Sequence, residues 1–237
     1  NIALPAREGS TDTISITAVS QSDSNAATTM EMKVFAESEP EDKVDVWVAD
    51  PAPDNGSEPH SISRIWWSPA VWVRNQNDGV YKYQNVQYGQ DNFVYVRVKN
   101  IGNLTATDTT VEVYRINSSL GSGWPKGWLK VGTATLDSLE PNATEDVVIR
   151  WDKSEIPKPG HYCFYVRLLN DDDPMAIPEG NRPTTNTRNN NNIAWRNFNV
   201  VGLLNKVTDT FTVDVANPQD QAANVDIAFV EEENLLE

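Results

Sequence analysis

The chain alternates apolar and polar residues in short segments that turn-rich stretches separate. Two such segments, residues 12–19 and 28–35, stand near the N-terminal end of the sequence. Alternation with a period of two is typical of a β-strand that has one apolar face. We therefore predict an antiparallel strand pair here, followed by a charged, Pro-containing linker at residues 37–43. Its apolar positions are Ile14, Ile16, Met30, Met32 and Val34.

From Val44 onward the alternating segments become richer in aromatic residues. The clearest of them are VDVWVAD, AVWVRNQNDG, NFVYVRVKN, TVEVYRI, EDVVIRW and HYCFYVRLL. Short alternating segments that Gly, Pro and Asn interrupt indicate an antiparallel β-sandwich. The single cysteine, Cys163, lies in the last segment and is interpreted as a packed strand thiol. The predicted fold class is all-β, an immunoglobulin-like antiparallel sandwich with additional terminal strand pairs.

The acidic charge of the chain lies mainly at its two ends. The net charge is −15, of which residues 1–43 carry −5, residues 44–201 carry −3 and residues 202–237 carry −7. Binding to nucleic acid is disfavoured, because affinity for nucleic acid depends on Lys and Arg side chains that neutralise phosphates. No apolar run approaches the roughly 18 residues of a membrane span, so membrane insertion is not expected.

Four motifs follow one another between about residue 90 and residue 201. They are YVRVKNIGNLTATDTTVEVY, VGTATLDSLEPNATEDVVIRW, PKPGHYCFYVRLLNDDD and IPEGNRPTTNTRNNNNIAW. Together, and in this order, they resemble the cell-adhesion-related domain found in bacteria, a family of immunoglobulin-like sandwiches. The resemblance implies a non-catalytic spacer, adhesion or protein-binding module of a secreted or surface protein. It implies no particular ligand.

The sequence departs from this family in two places. Seven residues, Arg182–Arg188, separate Asn181 from the run Asn189–Asn192, where the family usually has a tighter loop. The stretch LGSGWPKGW is an elaboration. We interpret Asn189–Asn192 as the turn that enters the last strand, because asparagine amides satisfy backbone groups that a crossing loop leaves unpaired.

The predicted organisation is a central sandwich, residues 44–201, between two terminal strand pairs, in residues 1–43 and 202–237. The C-terminal pair has its apolar positions at Phe211, Val213, Val215, Val225, Ile227 and Phe229. Each pair exposes an apolar face, and an isolated two-stranded hairpin is marginally stable.

Three arrangements of the ends remain open from the sequence. The chain is a piece cut from a string of such domains, or residues 1–36 and 203–237 join into a second small sandwich within the chain. In the third arrangement the tail of one chain completes the head of the next, which is strand complementation and builds an open fibre.

Two loops are candidate binding sites. The acidic one offers oxygen ligands of the kind that calcium prefers. Its residues are Asp171, Asp172, Asp173, Glu179 and Asn181. The aromatic one carries Trp124 and Trp128, which either stack on a carbohydrate or protein partner or pack under the loop. Calcium is the one cofactor considered, and glycosylation sequons begin at Asn55, Asn103, Asn117 and Asn142.

No catalytic motif stands out from the sequence. The only histidines are His60 and His161, no Gly-x-Ser-x-Gly elbow occurs, and no glycine-rich phosphate loop precedes a helix. We therefore predict a non-enzymatic, extracellular or cell-surface structural and interaction module. Its partners are neighbouring domains or copies of the same chain. The alternatives are a calcium- or carbohydrate-dependent adhesion module, and an accessory domain of a secreted hydrolase.

Overall fold

A computed structural model describes the chain over four ranges, residues 11–23, 25–35, 42–118 and 123–202. The chain divides into two compact units, with the boundary after Asp42, and each is described by itself. The first unit is an antiparallel hairpin of β1 (Thr11–Val19) and β2 (Ala27–Phe35). Ile14 pairs with Met32 and Ile16 with Met30 in its register, so the predicted strand pair forms.

The second unit is a β-sandwich with one short helix in its described part. In chain order its elements are β3 (Val46–Trp47), β4 (Val71–Arg74), β5 (Val86–Tyr88), β6 (Asn92–Asn100), β7 (Ala106–Asn117), β8 (Leu129–Leu139), β9 (Thr144–Trp151), β10 (Gly160–Leu169), α1 (Pro183–Asn189) and β11 (Ile193–Gly202). One sheet has the order β5-β11-β10-β7-β8. In the other sheet β6 pairs with β9 along one side and with β3 and β4 along the other.

The main core lies between the two sheets and is built by the alternation that the sequence shows. Val94, Val96 and Val98 of β6 are fully buried in it, as are Phe164 and Val166 of β10. The ring of Phe164 stacks on that of Phe198, with 3.8 Å between the ring centroids. Because successive side chains of a strand point to opposite faces, the other residues of β10 form a separate packing layer, described below.

Three elements differ from the expectation. The segment VDVWVAD forms only the two-residue β3, because the N–H of Val48 donates to the carbonyl of Asn191 instead of continuing the ladder with β6 (3.1 Å). Strand β5 pairs in parallel with β11, and three residues are too few for alternation to be seen. The helix α1 occupies the long closing loop; its sequence, PTTNTRN, has no apolar periodicity.

The Asn-x-Gly turn after β6 is held by a buried side chain. Asn100 donates through Nδ2 to the carbonyls of Leu104 (2.7 Å) and Leu139 (2.9 Å). Its Oδ1 accepts from the N–H of Gly102 (3.0 Å). One side chain thus fixes the turn between β6 and β7 and ties it to the end of β8.

Gly102→Ala is expected to destabilise the sandwich, because a Cβ at this position would collide with the backbone of Lys43 and Asp45. Backbone atoms cannot rotate away, and overpacking of this kind costs about 1–3 kcal/mol. Gly202→Ala is the control, since its Cβ would come no closer than 3.9 Å to the side chain of Pro159. Chemical denaturation measures both variants, and equal unfolding midpoints would contradict the close approach.

Candidate functional site

The fold places the residues of the acidic loop in different environments. Asp171 and Asp172 are exposed after the end of β10, whereas Asp173 is half-buried. Its Oδ2 accepts hydrogen bonds from the N–H of Val46 (2.7 Å) and from Nδ2 of Asn192 (2.9 Å). Burial raises the pKa of Asp173 to about 6, against the effect of these hydrogen bonds. The carboxylate therefore joins β3 to the segment that precedes β11.

The other two candidate calcium ligands have partners elsewhere. Glu179 accepts hydrogen bonds from the hydroxyl of Tyr165 (2.9 Å) and from Nη2 of Arg167 (2.6 Å). Asn181 is exposed, and its carbonyl accepts from the N–H of Trp124 (2.9 Å). Across the described ranges, no three His, Cys, Asp or Glu side chains are grouped so that they would hold a metal ion. The calcium site at Asp171–Asp173, Glu179 and Asn181 stays a prediction, and the contacts of Asp173 and Glu179 are structural.

Three consecutive asparagines, Asn190, Asn191 and Asn192, are buried where the chain enters β11. They form what we call the Asn tract. Asn190 exchanges hydrogen bonds with the backbone of Ile177, accepting its N–H and donating to its carbonyl, both at 3.0 Å. It thereby closes residues 177–190, which contain α1, into a loop. The tract lies where the turn into the last strand is predicted.

The two following asparagines reach the start of the sandwich. Asn191 donates through Nδ2 to Oδ1 of Asp45 (2.8 Å) and to the carbonyl of Gly56 (2.9 Å). Asn192 donates to the carbonyl of Val46 (3.2 Å) and to Asp173. Because both amide nitrogens face acceptors only, their orientation is determined by these contacts. The Asn tract therefore fastens β3 and the loop after it to the entry of β11.

The aromatic loop packs on the outer face of the five-stranded sheet. A second hydrophobic cluster lies there, the outer-face cluster, with Ile116, Trp128, Cys163, Tyr165, Ile193 and Trp195 as its buried members. Trp128 is 7% exposed and Trp124 is half-buried, and both rings contact Tyr165, with centroid separations of 5.4 and 4.7 Å. Trp124 and Trp128 thus pack on the sheet, and the ligand contact predicted for them stays a prediction.

A chain of ion pairs borders this cluster. Arg167 contacts Oε2 of Glu112 (2.7 Å) through Nη1 and Oε2 of Glu179 through Nη2. Lys130 contacts the second oxygen of Glu112 (2.6 Å). Burial by itself would raise the pKa of Glu112, but Lys130 and Arg167 outweigh it and hold that pKa below its usual value. Sequence reasoning missed this network, because its members come from three strands and the closing loop.

Neither cysteine nor histidine is arranged for nucleophilic chemistry in the described part of the chain. Burial raises the pKa of the Cys163 thiol to about 11, so the thiolate is disfavoured near neutral pH. Both ring nitrogens of His60 have partners, Asp50 Oδ2 at 3.1 Å and the N–H of Ile62 at 3.3 Å. Ser61, its neighbour in sequence, has no free imidazole nitrogen to accept its proton there.

The sequons occupy different environments. Asn55, Asn103 and Asn142 are exposed, and Asn117 is half-buried at the end of β7. Oδ1 of Asn103 accepts from the N–H of Lys43 (2.8 Å).

No described helix is long and apolar enough to cross a membrane.

The hairpin presents apolar side chains to solvent. Met30 is 62% exposed, Ile16 50% and Met32 43%. The side chains of Ile14 and Val34 lie outside the described set. So do all six apolar positions predicted for the C-terminal pair, which are Phe211, Val213, Val215, Val225, Ile227 and Phe229.

Comparison of the sequence with protein-family models and with curated proteins gives no match. Among solved structures, the chain is similar to a crystal structure of the CARDB domain of the PF1109 protein from Pyrococcus furiosus, in complex with di-metal ions. The identity is 21%, the TM-score is 0.34, and the match covers 56% of this chain and 86% of that one. The solution structure of the same domain matches with 20% identity and a TM-score of 0.33, over 56% of this chain and 93% of that one.

A β-glucosidase, EmGH1 from Erythrobacter marinus, is similar to the chain with 15% identity and a TM-score of 0.34. That match covers 56% of this chain but 15% of the β-glucosidase. CARDB domains are the family that the sequence motifs resemble, and at these values the likeness is distant.

Asn191→Asp is expected to destabilise the sandwich by about 2–4 kcal/mol, because it removes two donated hydrogen bonds and places a second carboxylate against Asp45. Asn189→Asp makes the same chemical change at a half-buried position two residues upstream and is the control. Denaturation at pH 4 and pH 8 measures the effect, which we expect to be larger at pH 8, where the new carboxyl is ionised. Equal losses for the two variants would contradict the role of the Asn tract.

Proposed function

We propose that this chain is a non-catalytic structural and interaction module of a cell-surface or secreted assembly. In this proposal the hairpin β1–β2 is completed by strands from residues 203–237, supplied by the same chain or by a neighbouring copy. The observation that carries the proposal is the exposed apolar face of the hairpin. The central sandwich then acts as the spacer between two adhesive ends.

The register of the hairpin supports a continuous apolar surface on one face. Ile16 lies opposite Met30, and residues directly opposite each other in an antiparallel pair project from the same face. Met32, two residues along the strand from Met30, lies on that face as well. Their neighbours on the other face are polar, including Thr17 and Thr29, which share a hydrogen bond between their hydroxyls (2.8 Å). Because a two-stranded hairpin alone is marginally stable, such a face favours a partner that covers it.

Residues 203–237 have the sequence pattern that suits this face. Phe211, Val213 and Val215 alternate with polar residues, as do Val225, Ile227 and Phe229. Strands that add to an open sheet contribute main-chain hydrogen bonds as well as apolar side chains. Added within one chain they close a small sandwich; added between chains they repeat head to tail and lengthen a fibre.

Charge opposes this docking and makes it sensitive to salt. Residues 1–43 carry a net charge of −5 and residues 202–237 carry −7, so the two ends repel each other. Salt screens such repulsion over a Debye length of about 10 Å at 0.1 M ionic strength. The proposed association therefore strengthens as ionic strength rises, the opposite of what an electrostatically driven contact shows.

The contacts in the central sandwich support a structural role. Asp173 and Glu179, two of the predicted calcium ligands, are engaged with β3 and with Arg167. Trp128 is buried in the outer-face cluster. The interactions of these groups hold loops to the sheets, and the exposed apolar surface of the hairpin is the stronger candidate for a binding function.

Met30→Glu in the full chain is expected to weaken the contact by roughly 10- to 100-fold, because burial of a Met side chain contributes about 1.5–3 kcal/mol. Sedimentation velocity reports the loss if the strands come from another chain, since concentration-dependent oligomers then dissociate. Amide hydrogen exchange of residues 203–237 reports it if they come from the same chain, since a monomer then loses protection there.

Thr29→Glu is the matched control, because it adds the same charge to the adjacent position on the opposite face of the hairpin. We expect this variant to keep most of the oligomer or of the exchange protection. A monomer in which residues 203–237 exchange equally fast in the parent and in Met30→Glu would refute the proposed contact.

A further inference from the structure

A buried acid and a histidine face each other at the base of a long surface segment. This segment, residues 51–62, leaves the sandwich after β3 and returns before β4, and we call it the Pro-rich segment. The carboxylate of Asp50 is 2% exposed, and its Oδ2 lies 3.1 Å from Nε2 of His60, which is 10% exposed. Neither oxygen of Asp50 makes a well-formed hydrogen bond to a protein group. An ionised carboxylate in this position is poorly solvated and depends on the imidazole.

The Nδ1 atom of the imidazole is occupied as an acceptor. The N–H of Ile62 donates to Nδ1 of His60 (3.3 Å), so the proton of the neutral ring lies on Nε2, the nitrogen nearer to Asp50. In this form the pair has a net charge of −1. Uptake of one more proton makes the buried pair neutral. A proton on Asp50 leaves the contact between Ile62 and Nδ1 intact, whereas a proton on Nδ1 of His60 replaces that contact.

Two further charges face the pair, one from each element packed around it. Asp54 lies on the Pro-rich segment itself, and its Oδ2 accepts the N–H of Asp50 (2.6 Å). Arg188 comes from α1 and acts on Asp50 at longer range. The backbone of Thr187, also in α1, interacts with the His60 ring. Asp54 disfavours the ionised form of Asp50 and Arg188 favours it, so they oppose each other.

The same segment is joined to α1 and the Asn tract by four hydrogen bonds. The N–H of His60 donates to the carbonyl of Arg188 (2.8 Å), and Nε of Arg188 donates to the carbonyl of Ile62 (3.2 Å). Glu58 accepts the N–H of Asn191 (2.8 Å), and Gly56 accepts from its Nδ2. An open cavity of about 450 Å³ adjoins His60 and is also lined by Ser61 and two prolines.

We propose that Asp50 and His60 form a proton-operated latch, which holds the Pro-rich segment against α1 and the Asn tract when the pair is protonated and loosens it when the pair loses that proton. A rise in pH through the mildly acidic and neutral range therefore opens one end of the sandwich.

Folding raises the pKa of both Asp50 and His60, which is the direction that the latch requires. Burial raises the pKa of Asp50 from 3.8 to about 6, and the close approach of the Asp50 carboxylate raises the pKa of His60 above 6.5. A group whose pKa is raised by folding stabilises the closed state fully below its ordinary pKa and loses that contribution as pH rises through the folded value. For Asp50 the loss falls between pH 3.8 and about 6, and for His60 it falls above pH 6.5.

The test uses the full chain and the fact that His60 and His161 are its only histidines. In His161→Gln the single imidazole signal in NMR belongs to His60, and we expect it to titrate with a midpoint above 6.5. Protection of the His60 and Asn191 amides against hydrogen exchange, corrected for intrinsic rates, is expected to fall between pH 5.5 and pH 8. This protection is expected to fall about tenfold for each unit by which the pKa of the titrating group in the folded chain exceeds its ordinary value.

The Asp50→Asn variant distinguishes a proton-operated latch from a contact with a purely structural role. With the acid neutral at every pH, we expect the His60 midpoint to drop and the protection of the two amides to become independent of pH. Asp137→Asn, the same change at an exposed acid of β8, is the control and leaves both readouts as in the parent. A His60 midpoint at or below 6.5 with Asp50 present, or equal protection at pH 5.5 and pH 8 in the parent chain, overturns the proposal.

Discussion

The hydrogen bonding of the buried Asn tract is the constraint on which the second unit depends. The chain must cross from β10 to β11 over the end of the sandwich, and the crossing buries backbone and amide groups away from water. Each buried polar group costs free energy unless it is paired. Asn190 closes the loop upon itself, while Asn191 and Asn192 donate to Asp45, Val46 and Gly56, so one run of residues bonds to both ends of the crossing. The Oδ1 atoms of Asn191 and Asn192 are buried without a hydrogen-bond partner in the described part of the chain.

Two loops cover the outer face of the five-stranded sheet. The closing loop and residues 123–128 meet there, where the N–H of Trp124 bonds to the carbonyl of Asn181. Together they cover Tyr165 and Trp195, which otherwise would stand on the exposed face of the sheet. The additions supply a third layer and bring Arg167 between Glu112 and Glu179. Removal of one partner from such a network costs more than the pair contributes, because a charge is left unpaired.

These contacts change where function is best sought in this protein. Asp173, Glu179 and Trp128, which suggested calcium or carbohydrate binding, hold loops to the sheets, and two groups with unmet physical requirements lie elsewhere. One is the apolar face of the hairpin, which water solvates poorly. The other is the buried carboxylate of Asp50, which depends on a titratable imidazole. The proposed addition of strands would meet the first requirement, and the proposed uptake of a proton would meet the second.

The sequence by itself determined the elements whose pattern is local. Strands β6, β7, β9 and β10, the burial of Val94, Val96 and Val98, and the pairing of the N-terminal hairpin all follow from alternation and turn residues. Only the tertiary structure decided β5, α1 and the partners of Asp50, Asp173 and Arg167. The reason is physical: a three-residue strand or a polar seven-residue helix has no period to detect. The partner of a buried charge is set by which distant segments the fold brings within 3 Å or so of it.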